Sequence, residues 1–448
     1  MPDMYPKSLP QFLERLAEQD QLIRIDAEVS ADGEITEIAR RVAANQGPAM
    51  LLTKVAGRTF PLLTNLLASE QRVLLALGCD SLDELASAFA ERLRKEAFVP
   101  EKIVTTAACQ QVVQLGRDIQ LDEFSWLRSN GTGSPPAIAA AVVVSTDPES
   151  QQRSLASYDV TVVERRRLEL RYRLRDPIAR QIAAYAEREE RMPVAVTVGG
   201  PPMLSLLAGI SEGRDLDSYQ VASCLVGEPI EVAGGRSVPL QVPAEAELII
   251  EGFIDAESVS QNSSGGLQVA EIEVEMVTHR AEPVLVATTD DEQSTLLRYI
   301  SRIELPGLLR RQPAIVDLVR PQTGPRQYAF VAIEKHFEQQ SREIAAALWA
   351  EESLRDVKFI MLVDANVDVN DEAQVWRCMA EHADPRHDVI FPPASVDGER
   401  AASVAVDATA KCGDSQVLAT STHRRQQEAD ARELRELVSE RWSEYGMK

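Results

Sequence analysis

Short segments in which apolar and polar residues alternate fill the middle of this chain, between residues 137 and 277. Because the side chains of a β-strand point alternately to its two faces, a period of two predicts strands with one buried face. The predicted strands are Ile138–Ser145, Leu155–Val163, Leu168–Leu174, Val194–Val198, Glu247–Ile254 and Val269–Val277. Strands so closely spaced, with helices predicted only at Ile178–Glu190 and Asp217–Val226, favour a barrel-like sheet with helical insertions.

The segments on both sides of these strands alternate helices and strands, which is typical of α/β domains. On the N-terminal side, Ser8 can cap a helix, and Leu82–Ala97 has the helical period. On the C-terminal side the predicted elements are the strands Ala314–Val319, Tyr328–Ile333 and Lys358–Asp364, and the helices Ser341–Glu351 and Asp371–His382. We therefore predict an α/β (α+β) protein with domains at 1–115, 116–305 and 306–448, ending in a charged helix over Thr422–Tyr445.

Composition and charge exclude several classes of partner. The formal net charge of −23 repels nucleic acid and anionic lipid at long range. No stretch approaches the roughly 18 apolar residues of a membrane span, and the N-terminus has no export signal. The five cysteines are scattered without a C-x-x-C pair, at Cys79, Cys109, Cys224, Cys378 and Cys412. We therefore expect a soluble, cytoplasmic protein with reduced thiols.

Two strings of this sequence, Met192–Gly200 (MPVAVTVGG) and Val242–Gly252 (VPAEAELIIEG), resemble conserved segments of the UbiD family of decarboxylases. Shorter strings resemble the family in the same order, at Leu305–Leu309, Val363–Val369, Asp384–Asp388 and Val406–Thr409. The resemblance implies an N-terminal α/β domain, a central split β-barrel of the flavin-binding type that holds prenylated FMN, and a C-terminal α/β domain. It also implies a carboxy-lyase that acts on an aromatic or α,β-unsaturated acid, and usually a homodimer.

The family's catalytic positions fall on three residues of this chain. Asp159 stands where the family has an arginine, Glu257 where it has its first acid, and Asn262 where it has the second acid, the usual proton donor. An amide hydrogen-bonds but does not donate a catalytic proton. Asp159 close to Glu257 would raise the pKa of one carboxyl and would repel a carboxylate substrate.

The resemblance also implies positions for the cofactor and its ions. The family binds the cofactor's phosphate through manganese or magnesium, with a potassium ion nearby, and Glu231 keeps one of three metal ligands. Ser154 and Arg175 replace the other two ligands, and Ser403 replaces a lysine. The remaining residues expected to contact the cofactor are Ser157, Tyr158, Arg171 and Tyr172. No histidine precedes His279, so the strands before it supply no imidazole ligand.

A stripe of arginines follows one face of the strand Leu168–Leu174. Alternation places the apolar residues Leu168, Leu170, Tyr172 and Leu174 on one face and the charged residues Arg167, Glu169, Arg171, Arg173 and Arg175 on the other. Arg175 could bind a phosphate directly, since guanidinium matches phosphate bidentately. Cross-strand pairing with the acids Glu271, Glu273 and Glu275 is the alternative, and we favour it for Arg167 and Arg173.

Three functions stay open at this point. The first is a UbiD-like carboxy-lyase that uses prenylated FMN, with Glu257 as its acid or base. The second is a protein that keeps the fold without this decarboxylation, as a partner subunit or as an enzyme for another reaction. The third is a flavin-free pocket in which Asp159 and Glu257 act on a neutral or cationic substrate.

Overall fold

The computed structural model describes residues 5–128, 135–211, 213, 215–261, 267–321, 327–354, 357–392 and 403–411. The chain forms two compact units. The first runs to Arg311 and also includes segments 318–328 and 351–356, and the second takes the rest. Asn262 and the predicted terminal helix lie outside the described residues.

The N-terminal part alternates helices with short strands, as predicted. Its elements are α1 Leu9–Glu18, β1 Leu22–Val29, α2 Glu34–Ala44, β2 Ala49–Val55, β3 Leu62–Thr64, α3 Glu70–Leu77 and α4 Leu82–Arg94. The Ser8 side chain caps α1 by accepting from the backbone N–H of Gln11, which confirms the predicted start of this helix. Phe12 and Leu16 of α1 are buried, so its apolar face contacts the core.

The central part is built mainly of strands. Its elements are β4 Lys102–Ile103, β5 Val112–Leu115, β6 Val142–Thr146, β7 Arg153–Ser157, β8 Asp159–Glu164, β9 Arg167–Arg173, α5 Pro177–Glu187, β10 Met192–Val198, α6 Met203–Leu207, α7 Ser218–Val226, β11 Glu231–Gly234, β12 Gln241–Pro243, β13 Leu248–Ile254, β14 Ser260–Gln261, β15 Leu267–His279 and β16 Leu285–Val286. Five of the six predicted strands and both predicted helices have counterparts here, and the sixth, Leu155–Val163, is divided into β7 and β8.

Nine of these strands form one curled sheet. Seven of them follow the order β7-β6-β10-β13-β15-β9-β8, and β14 and β5 both pair with β15. The two end strands, β7 and β8, are consecutive in the chain and are joined through Tyr158 alone. Because one residue links the two edges, the sheet must curl until those edges meet, which gives the half-barrel.

The predicted strand Leu155–Val163 is wrong as a single element, because it is divided at this link. β7 pairs with β6, whereas β8 pairs with β9 at the other end of the sheet. Leu174 was also assigned to the apolar face of its strand, but β9 ends at Arg173 and Leu174 is 66% exposed.

Two smaller sheets support the large one. The N-terminal sheet has the order β1-β2-β3-β16, and the other has the order β12-β11-β4. In the second, β11 runs parallel to β4 with Glu231 opposite Lys102.

The rest of the chain returns to α/β alternation. Its elements are α8 Asp290–Arg311, β17 Ile315–Val319, β18 Tyr328–Ile333, α9 Gln340–Ala350, β19 Phe359–Asp364, α10 Glu372–His382, β20 Val389–Ile390 and β21 Val404–Asp407. The five strands form a sheet in the order β17-β18-β19-β21-β20. Across the described ranges, no helix combines the length and apolar character needed to cross a membrane.

Candidate functional site

A cavity of about 590 Å³ opens where the two edges of the curled sheet meet. Four residues predicted for the site line it, namely Ser157, Tyr158, Asp159 and Arg171. The other lining residues include Thr36, Arg40, Ala137, Ile138, Thr161, Thr288, Thr289, Asp290, Asp291 and Gln293. This volume lies within the usual range of small-molecule sites, roughly 300–1,000 Å³. We refer to it below as the seam cavity.

Asp159 and Arg171 form an opposite-charge pair across two strands of this cavity. They are direct neighbours in the antiparallel pairing of β8 with β9, so their side chains leave the sheet on the same face. The Arg171 guanidinium lies 3.6 Å from Glu169 Oε2 on its own strand. An arginine therefore lines the cavity even though the family's arginine position holds Asp159.

Three buried polar atoms of the seam cavity lack a hydrogen-bond partner in the described part of the chain. They are Thr36 Oγ1, Thr161 Oγ1 and Arg171 Nε. Leaving a buried polar group unpaired costs about 1–3 kcal/mol, so such atoms are uncommon unless a ligand or water completes them. Their meeting in one cavity is a physical sign of a site for a polar ligand.

The first turn of α8 forms one wall of the cavity and is fixed by a buried carboxyl. Glu292 Oε2 and Oε1 accept the backbone N–H groups of Asn65 at 3.0 Å and Leu67 at 2.8 Å. Burial raises the pKa of Glu292 to about 7, although those N–H groups and Arg72 oppose the shift. The sequence analysis missed this positioning residue, and its only signal was an acid in the first turn of a helix.

Arg153 belongs to an ionic network and does not line the seam cavity. Its guanidinium donates to Asp217 at 2.6 and 3.0 Å and to Glu101 at 2.6 Å, and it lies 4.8 Å from the centre of the Tyr219 ring. These contacts fasten β7, which carries Ser154. Ser154 lines a separate cavity of only about 50 Å³, together with Arg180 and Gln181.

The residues at the family's metal positions do not fit a divalent cation. Lys102 Nζ donates to Glu231 Oε1 at 2.7 Å, so an ammonium group already occupies the one retained ligand. Arg175 is exposed and offers no lone pair to a metal. Ser403 lies in the second unit, where its hydroxyl donates to Val357 O at 3.4 Å. Within the described segments, no group of three or more His, Cys, Asp or Glu side chains could hold a metal.

Other predicted site residues lie elsewhere. Tyr172 is only 4% exposed and belongs to the apolar core on the opposite face of β9 from Arg171. Glu257 is exposed on a 3-10 turn, Ala256–Ser258, and is not among the residues lining the seam cavity. The pairing predicted for Arg167 is confirmed, since it lies 3.6 Å from Glu271.

Three family models match the chain in succession. They are the N-terminal domain of 3-octaprenyl-4-hydroxybenzoate carboxy-lyase over residues 13–89, its Rift-related domain over residues 102–291, and its C-terminal domain over residues 294–414. Together they account for most of the chain, and the Rift-related domain contains the curled sheet with Asp159 and Arg171.

The chain is also similar to individual proteins over nearly its whole length, and the solved structures among them share its fold. An uncharacterized protein of Archaeoglobus fulgidus is 27% identical over 91% of this chain and 92% of its own length. The vanillic acid decarboxylase of Sedimentibacter hydroxybenzoicus in its closed form superposes with a TM-score of 0.79 at 23% identity, over 92% of this chain and 94% of that one. HmfF from Pelotomaculum thermopropionicum, in an evolved dimeric form in complex with prFMN, gives 0.77 at 21% identity, over 91% and 96%.

Proposed function

This chain belongs to the UbiD family, and on that premise we propose that it is a carboxy-lyase that removes carbon dioxide from an aromatic or α,β-unsaturated acid in the seam cavity. The proposed cofactor is prenylated FMN, which HmfF binds. The observation that carries the proposal is the seam cavity itself, which unites Ser157, Tyr158, Asp159 and Arg171 with three unpartnered polar atoms.

The reaction breaks the bond between the carboxylate carbon and its neighbour. Carbon dioxide leaves, and a proton takes the electron pair that stays on carbon. Prenylated FMN, when bound, supplies an electrophilic centre that stabilises this charge. Arg171 lines the cavity and would bind the substrate carboxylate through its guanidinium, and this bond would orient the acid. The family positions make Glu257 the candidate for proton return, with Asp159 and Asn262 completing the proposed catalytic set; because Glu257 is exposed and does not line the seam cavity, this role requires it to move toward the substrate.

The flavin fits the chain's residues better than the metal does. Ser157, Tyr158 and Arg171 line a cavity of suitable volume and would contact the ring system. Ser154 and Arg175 stay our candidates for the phosphate, because a hydroxyl and a guanidinium both hydrogen-bond to it. We give no role to manganese, magnesium or potassium, since Lys102 holds Glu231.

A second candidate function is favoured by the charges at these positions. In it, the chain keeps the fold without the family's decarboxylation and serves as a partner subunit or catalyses a flavin-free acid–base reaction. The Lys102–Glu231 pair and the carboxylate at Asp159 support this alternative.

Expression alongside a flavin prenyltransferase separates the two candidates. We expect the purified protein to carry prenylated FMN, seen in its absorbance spectrum and by mass analysis, and to release carbon dioxide from members of a panel of aromatic and unsaturated acids. Arg171→Met should lower this release. A colourless, inactive parent would exclude the carboxy-lyase, above all if Asp159→Arg with Asn262→Glu gains activity.

The proposal extends to assembly and location. We propose a homodimer, which is supported by the dimeric form of HmfF among the structural relatives. A cytoplasmic location fits the acidic, polar composition. Size-exclusion chromatography with light scattering would test the dimer directly.

A further inference from the structure

We infer that the acid bound in the seam cavity also carries a positively charged nitrogen, such as an ammonium group. Its carboxylate would meet Arg171, and its cation would meet Asp159, the cross-strand neighbour of Arg171 on the cavity wall. This inference deepens the proposed function and rests on it only for the location of the substrate.

The first support comes from the charged side chains that line the seam cavity. Among the described residues, three aspartates and two arginines line it. Arg40 is already engaged, since its guanidinium donates to both carboxylate oxygens of Glu37 at 2.8 and 2.9 Å. Arg171 lies 3.6 Å from Glu169, so each arginine already faces a carboxylate, and a ligand with a single negative charge would meet an excess of carboxylates. A second, positive group on the ligand offsets that repulsion.

The second support comes from the positions of Asp159 and Arg171 on the paired strands β8 and β9. Asp159 and Arg171 are direct cross-strand neighbours, but the ion pair of Arg171 is with Glu169 at 3.6 Å and its Nε has no partner in the described chain. The pair therefore presents a carboxylate and a guanidinium side by side toward the cavity. Ligands with both charges satisfy both groups at once, whereas a plain acid satisfies one and repels the other.

The third support comes from two threonine hydroxyls that lack hydrogen-bond partners in the described chain. Thr161 is 5% exposed and Thr36 also lines the cavity, and both Oγ1 atoms lack partners among the described residues. A threonine hydroxyl can donate to a carboxylate or accept from an ammonium group. Both hydroxyls therefore suit a ligand with polar groups at its two ends.

Calorimetric titration of the purified full-length chain, without flavin, tests the inference. The probes are 2-, 3- and 4-(aminomethyl)benzoate, each matched by the methylbenzoate that lacks only the ammonium nitrogen. We expect at least one aminomethyl isomer to bind about tenfold or more tightly than its methyl partner, as a charge-assisted hydrogen bond predicts. Asp159→Asn should abolish that preference, and Asp80→Asn, an exposed acid outside this cavity, should keep it.

Equal or tighter binding of the methylbenzoates would overturn the inference, as would no binding by any of the six acids. The proposed function is judged separately, by carbon dioxide release from the protein loaded with prenylated FMN. Preference for the aminomethyl acids without release would keep the inference and remove the carboxy-lyase. Release from the methyl acids without any preference would do the reverse.

Discussion

Two cross-strand pairs of opposite charge lie where the resemblance to the family predicted the active site. They differ in whether the two side chains bond to each other. Glu231 and Lys102, on β11 and β4, are joined by a hydrogen bond of 2.7 Å. Asp159 and Arg171, on β8 and β9, face a cavity of about 590 Å³, and Arg171 Nε has no partner among the described residues. We call Glu231–Lys102 the closed pair, because the two side chains bond to each other. We call Asp159–Arg171 the open pair, because both residues face a cavity in which a ligand could bind them.

The difference shows how a replaced charge can be absorbed in two ways. At Glu231 the neighbouring strand supplies the cation, and the Lys102 side chain is 63% exposed, so the pair costs little desolvation and needs no metal. At Asp159 the neighbouring strand also supplies a cation, but the orphaned atoms around it are buried. Recognition is therefore expected at the open pair, and the closed pair is expected to be structural.

The largest predicted effect comes from removing the arginine of the open pair. Arg171→Met keeps most of the apolar stem and deletes the guanidinium that would hold a carboxylate. A hydrogen bond to a charged group contributes about 1.5–3 kcal/mol, so the Kd for bound acids should rise about 10- to 100-fold. Isothermal titration with the acids that bind the parent measures this change.

Arg167→Met is the matched control for that variant. Arg167 lies on the same strand but pairs with Glu164 at 3.3 Å and Glu271 at 3.6 Å, away from the seam cavity. Its loss should leave acid binding unchanged and alter the free energy of unfolding by at most about 1 kcal/mol. If both variants weaken binding equally, the open pair is not the recognition site, and the two pairs do not differ in ligand binding.

A smaller effect is expected from an orphaned hydroxyl of the open pair's cavity. Thr161→Val removes a buried hydroxyl that has no partner in the described chain, so the free energy of unfolding should stay the same or rise by about 1 kcal/mol. Ligand binding should nevertheless weaken about 10-fold, because a hydrogen bond between the hydroxyl and a charged group of the ligand is lost. Thermal unfolding and titration on one sample report both changes.

Thr278→Val provides the comparison within the same sheet. Thr278 is buried on β15, and its Oγ1 also lacks a partner in the described chain, but it does not line the seam cavity. Its substitution should affect stability as Thr161→Val does and should leave binding intact. Weaker binding in both variants would indicate a general disturbance of the sheet, and weaker binding in neither would show that Thr161 does not contact the ligand.

Alternation of side chains predicted the sheet well because burial on one face is a local signal. The predicted strand Tyr328–Ile333 matches β18 at both ends, and Leu168, Leu170 and Tyr172 are buried as their period indicated. The break at Tyr158 has no such signal, since residues on both sides of it alternate in the same way. It exists because β7 and β8 lie at opposite ends of the sheet, which is a property of the closed topology.

The site was predictable only in part, for a similar reason. The resemblance selected the seam residues Ser157, Tyr158, Asp159 and Arg171, which do line one cavity. It gave no hint of Thr36 or Glu292, because their roles depend on contacts with segments far away in the sequence. Lys102 was missed likewise, since its partner Glu231 lies 129 residues further along the chain.

The smallest predicted effect concerns the closed pair and metal. If Lys102 satisfies Glu231, flavin affinity should not depend on a divalent cation, so chelation with EDTA or addition of manganese should change the Kd for FMN by less than about twofold. Lys102→Met should lower the free energy of unfolding by no more than about 1 kcal/mol, as expected for an exposed ion pair. Fluorescence titration of FMN, with and without manganese, measures the first quantity.

One result of the same titration would show that the closed pair also takes part in binding. Tenfold tighter FMN binding in manganese would mean that the cation displaces Lys102 from Glu231 and recruits other oxygen ligands, because a lone carboxylate holds such a metal weakly. Glu231 would then be a metal ligand that the Lys102 ammonium group occupies when no metal is bound. With no response to manganese in either the parent or Lys102→Met, the lysine acts as a structural partner, and recognition is confined to the seam cavity.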